Sequence, residues 1–98
     1  MSVESLHASA TELLHRWRPA DSADASLREA LLAFLGVAPR GCLRENAAGH
    51  ITASAVVFSH DGSEVLLTLH PRVGRWIQLG GHCEESDTTV ADAALREA

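Results

Sequence analysis

Lysine is missing from this 98-residue chain, cysteine occurs twice, and no apolar run approaches the eighteen or so residues of a membrane span. Each shortage excludes something. Positive charge rests on eight scattered arginines against thirteen acids, a formal net charge of −5. Nucleic acid is held by clustered Lys and Arg, so no nucleic-acid partner is expected. An acidic protein that handles phosphorylated small molecules needs a divalent cation to offset the repulsion. The stretch MSVESLHASATELLHRW lacks the basic start and short apolar core of a secretory signal. The expectation is a cytoplasmic protein with no membrane partner, in which Cys42 and Cys83 are free thiols.

What is present begins with helical periodicity. Val3, Leu6, Ala10, Leu13 and Trp17 recur at spacings of three and four, one face of a helix that Pro19 ends. A second stripe, Leu27, Leu31, Phe34 and Leu35, precedes Gly36, which is placed as a C-terminal stop. Ser26 and Glu29 have capping-box spacing, with Asp21 or Ser22 as an earlier start. From Ile51 the pattern changes. ITASAVVF and EVLLTLH flank Asp61-Gly62 and read as a hairpin, and RWIQLG reads as a third strand. Val90, Ala91, Ala94, Leu95 and Ala98 then form a last helical stripe, which Thr89 and Asp92 can cap. No repeat or low-complexity tract interrupts this order. The expected organisation is α/β: a helical extension over residues 1–45 packed on the same unit as the strand-rich residues 46–98.

The residues with the most chemical content are GGHCEESDTTVADAALREA, positions 80–98. Gly80 and Gly81, following a strand, allow a sharp turn and close approach to a ligand. Glu84, Glu85 and Asp87 crowd three anions into four positions, which favours a hard cation nearby. Arg96 and Glu97 follow about two helical turns after the helix start. His82-Cys83, even with His70, lacks the paired spacings of a four-ligand zinc site. His50, His60 and His70 fall at strand ends and read as boundary residues. Trp76 reads as core or pocket wall, or as a platform for a flat substrate group.

This stretch resembles the Nudix box: a glycine, five residues, an acid, seven residues, then Arg-Glu, an aliphatic residue, any residue and Glu-Glu. Gly81 matches the glycine, Asp87 the first acid, and Arg96-Glu97-Ala98 the Arg-Glu-aliphatic element. ITASAVVF, EVLLTLH and RWIQLGGHCE are similar to the family's lead-in, so the resemblance covers residues 49–98. The helical amino-terminal part resembles an extension found in some bacterial members. The resemblance implies an α/β/α sandwich with a mixed sheet and a loop–helix that binds Mg²⁺ or Mn²⁺ and hydrolyses a phosphoanhydride in a nucleoside diphosphate-linked or similar diphosphate substrate. Carried over by position, Glu97 is a metal ligand and Gly80 a carbonyl donor to the metal. Gly80, Gly81 and Trp76 would face the substrate. Arg96 pairs with Asp87, completing the catalytic set with Glu97.

Two departures qualify that implication. Eight residues separate Asp87 from Arg96 where the box has seven, and the box's final Glu-Glu is not among the 98 residues. The expectation is therefore an incomplete Nudix domain ending inside its helix, inactive as a fragment and prone to associate with itself through sheet edges or the amino-terminal helices. Two other readings remain: a non-catalytic remnant or interaction module, and a relative that isomerises prenyl diphosphates.

Overall fold

A computed structural model describes residues 2–98. It is a small mixed α/β structure with α1 (Ser2–Arg16), α2 (Ser22–Val37), β1 (Thr52–Ala55), β2 (Thr68–Leu69), β3 (Trp76–Ile77), β4 (Leu79–His82) and α3 (Val90–Glu97). No helix among the described residues is long and apolar enough to cross a membrane.

The first stripe buries Leu6 and Ala10, with Val3 packed at the edge of the same cluster. Arg16 ends α1, and the chain turns through Trp17, whose N–H still donates to Leu13 O at 3.0 Å. In α2 the earlier start is used. Asp21 is the N-cap, and its Oδ1 accepts from Asp24 N–H at 2.8 Å, satisfying one of the helix's orphan donors. Gly36 does not stop the helix. It lies inside the last turn, and Ala38 forms the C-cap with its N–H on Leu35 O. Of the α2 stripe, Leu35 is fully buried, while Leu27 is half exposed. Leu6 and Leu35 are the largest fully buried side chains, so the core around Cys42, Leu43, Ala53, Cys83 and Ala93 is light.

The strands do not form the single mixed sheet expected. They make two separate antiparallel pairs, β1 with β4 and β2 with β3. Among the described residues parallel pairing occurs only as an isolated bridge, Leu43 to Cys83. The expected hairpin is present at its tip. Phe58 pairs with Val65, and the N–H groups of Ser59 and Leu66 donate to Glu64 O and Val57 O, both at 2.9 Å. Gly62 sits in the turn at φ 75°, and Asp61 Oδ1 accepts from Ser59 Oγ, Ser63 N and Ser63 Oγ. Below Phe58 the partner changes: Thr52, Ala53, Ser54 and Ala55 pair with His82, Gly81, Gly80 and Leu79. A Cβ on Gly80 would lie 2.6 Å from Ser54 Cβ and 3.0 Å from Ala53 O. Only glycine lets the two strands come that close.

The helix after the bend, α3, packs on β1 and β4 and buries Ala93 completely. Thr89 is its N-cap, with Oγ1 accepting from Asp92 N–H at 3.1 Å, as the sequence predicts. Helix α1 reaches the same end. Ser9 Oγ accepts from Val90 N–H at 2.9 Å, and Ser5 Oγ donates to Thr88 O at 2.7 Å. These two bonds tie the amino-terminal helix to the start of the helix that carries the candidate site.

Candidate functional site

The site is built where β4 runs out. Cys83 is buried and anchors the strand end in the core. The chain then turns tightly, with Asp87 N–H on Glu84 O at 2.9 Å and Asp87 Oδ2 accepting from Glu84 N–H at 2.7 Å. This folds the Asp87 carboxylate inward until it is only 6% exposed. A carboxylate removed from water needs a partner, and Arg96 supplies one from the last turn of α3. Its Nε donates to Asp87 Oδ1 at 3.1 Å and its Nη2 to Oδ2 at 2.8 Å, a two-pronged pair. The Arg96 hydrogen bonds hold the Asp87 carboxyl below its ordinary range, against the opposing effect of burial. Asp87 in turn raises the guanidinium's pKa further. The loop ahead of Val90 accommodates the longer spacing between the two residues.

The clamp has a third jaw. Arg96 Nη2 also donates to His82 O at 3.0 Å, so one guanidinium joins the end of α3, the acidic turn and the end of β4. Its Nη1 donates to Glu97 Oε1 at 2.9 Å. Glu97 lies over the bend: a Cβ on Gly81 would meet Glu97 Oε1 at 2.7 Å and Oε2 at 2.9 Å. The two glycines therefore do different things. Gly80 admits strand β1, whereas Gly81 leaves room for the Glu97 carboxylate.

Asp87, Arg96, Glu97 and Gly81 are thus gathered at the end of β4. The sharp turn expected at Gly80 and Gly81 is not found there: both lie within β4, paired with Ser54 and Ala53, and Gly80 faces β1 rather than Glu97. Trp76 is not part of this group. It lies in β3 of the other sheet and is 65% exposed, so it is not a core residue. The charge argument drawn from the acidic loop also changes, because all three acids have arginine partners. Asp87 has Arg96, Glu84 has Arg96 Nη1 at 3.5 Å, and Glu85 has Arg40 Nη2 at 2.8 Å. Arg40 also holds Glu45, which staples the loop after α2 to the acidic turn. Nothing near Glu85 in the sequence signals a partner forty-five positions away. Nor does the sequence signal the contact between His50 Nε2 and His82 Nδ1, 2.9 Å apart.

Both cysteines are buried free thiols, and burial pushes Cys42 up to about 11, with Cys83 adding to the shift. They read as packing groups. Mg²⁺ demands near-octahedral oxygen coordination. Among the described residues no three His, Cys, Asp or Glu side chains converge on a metal position. Glu97 is the carboxylate over Gly81, and both it and Asp87 are already paired with Arg96. The residues present therefore do not by themselves fit a Mg²⁺ or Mn²⁺ ion. Comparison of the chain with family models, with curated proteins and with solved structures found no match.

Proposed function

We propose that the bend between β4 and α3 is the opening part of a Nudix-type site for a phosphoanhydride, in a nucleoside diphosphate-linked or similar diphosphate substrate, in a cytoplasmic protein. The observation that carries this reading is the Glu97 carboxylate seated on Gly81 and held by the guanidinium that grips Asp87 and His82 O. In this reading Glu97 is the first of several acidic groups around a divalent ion, and Mg²⁺ or Mn²⁺ is the cofactor. Gly81 keeps the strand beneath Glu97 free of a side chain where a diphosphate approaches, and Gly80 is the carbonyl donor to the ion. Arg96 and Asp87 are positioning residues: they fix the helix end against the loop so that Glu97 has one orientation. One carboxylate is too few for such an ion, so the 98 residues do not turn over a diphosphate alone.

The test is formation of a nucleoside monophosphate and the matching phosphomonoester from a panel of nucleoside diphosphate derivatives, with and without Mg²⁺, for this chain and for the polypeptide read onward from Ala98. No turnover by the 98 residues, and Mg²⁺-dependent hydrolysis by a longer product that adds Glu-Glu in register, is the expected outcome. A stop codon directly after Ala98, or a longer product inert toward every substrate, contradicts it. A second reading, an interaction module, is favoured by one observation: the large apolar side chains exposed between Val56 and Ile77.

A further inference from the structure

We propose that one face of the hairpin over residues 56–77 is a self-association surface, which packs on the same face of a second copy of this chain about a two-fold axis. Phe58 pairs with Val65, and Leu69 with Trp76. Residues 66 and 67 join these two paired segments, and alternation of side chains carried through them places Val56, Phe58, Val65, Leu67, Leu69 and Trp76 on one face. All six are between 41% and 65% exposed. The opposite face carries Val57, Leu66 and Ile77 with Thr68, and of these Val57 is only partly exposed and Ile77 37% exposed. The six side chains leave roughly 600 Å² of apolar surface in water, at the top of the range for the largest patch on a monomer. One partner of a standard interface contributes roughly 800 Å², so this face plus its flanking turns meets what a stable dimer needs.

Charge selects the occupant. The turn over residues 59–64 carries Asp61 and Glu64, and the turn over residues 70–75 carries Arg72 and Arg75, all four exposed. Among the described residues none of these four makes an ion pair. The strand between the turns is about 20 Å long, so acidic and basic ends sit well apart. A two-fold axis lying in the plane of the face and perpendicular to the strands turns the second copy end for end, laying each acidic turn over the partner's basic turn. Stacking the copies in the same direction would oppose like charges. The face therefore complements itself in one orientation, which points to a second copy and to closure at two chains. This inference does not rest on the diphosphate reading, and assays of diphosphate hydrolysis leave it untouched.

The test is sedimentation velocity on the 98-residue chain from 1 to 200 μM (roughly the range over which transient dimers dissociate), with circular dichroism to verify that each variant folds. The expected result is a monomer–dimer equilibrium that stops at two. Phe58→Glu, at an exposed position, should leave the fold intact and weaken the dimer at least about tenfold. Glu64→Arg and Arg75→Glu should each weaken it about tenfold, and the two together should restore it to within about threefold of the original. A monomer at every concentration, a dimer indifferent to Phe58→Glu, single charge changes that are not rescued by their combination, or open-ended growth past two copies would each overturn the proposal.

Discussion

Replacement of Arg96 by methionine should lower Tm by about 10 °C or more at pH 7, and the loss should shrink in acid. Methionine keeps the length and apolar stem of the side chain but removes every donor. Asp87, 6% exposed, is then left with the Glu84 N–H as its remaining partner. The cost is dominated by that stranded carboxylate, since an uncompensated buried charge costs more than a paired one contributes. The pH dependence follows from the direction of the shift. Asp87 has its folded-state pKa depressed by Arg96, so its contribution is fully present above the unfolded value of about 3.9. It is lost as pH falls through the lower folded value. The parent chain thus begins to lose its advantage below about pH 4, and the gap between its melting temperature and the variant's narrows as pH falls further toward the folded value. Thermal melts at pH 7 and pH 3 check this. A difference equally large at both would show that Arg96 acts through packing alone.

Gly80→Ala should destabilise the chain by about 3 kcal/mol, whereas Gly81→Ala should cost far less and act on Glu97 instead. The added methyl at position 80 would meet Ser54 Cβ at 2.6 Å, Ala53 O at 3.0 Å and Ser54 Cα at 3.1 Å. Two of those atoms are backbone in the paired strand, so relief requires β1 and β4 to separate. At position 81 the atoms met belong to the end of the Glu97 side chain, which can swing away. Urea denaturation of the two variants separates the cases, and Ser54→Gly in the Gly80→Ala background should recover part of the loss by removing the Cβ contact. Equal destabilisation by the two alanines would contradict the distinct roles assigned to the glycines.

The sequence made the local parts of this structure readable and hid the distant ones. Thr89 capping Asp92 and the Asp61-Gly62 turn follow from spacings of a few residues, whereas the pairing of Asp87 with Arg96 is expected only from the resemblance to the Nudix box. The helix boundaries were less legible. Gly36 reads as a stop because glycine is favoured after a helix, yet α2 continues through Val37 to an Ala38 cap. The strand pairing was missed for a different reason. Alternating runs on either side of a turn predict a long hairpin, but the close approach that Gly80 permits gives β1 to β4 instead. Trp76 reads as core or pocket wall because aromatic residues are mostly buried, whereas it stands on an open sheet face. Contacts such as Arg40 with Glu85, Ser9 with Val90, and His50 with His82 join segments far apart in the chain. Each donor and acceptor is ordinary by itself, and only the fold brings them together.

The proposed function depends on the Glu97 carboxylate over Gly81 being where a divalent ion would first touch this protein. Titration of the ¹⁵N-labelled chain with Mn²⁺, following paramagnetic broadening of backbone amides, tests it most directly. With one carboxylate at the bend, binding should be weak, in the millimolar range or beyond. The amides of Gly80, Gly81 and Glu97 should broaden first, and Glu97→Gln should abolish that order. Broadening that begins at Glu45, Glu64 or the carboxyl-terminal residue, or that is unchanged in Glu97→Gln, would contradict the account.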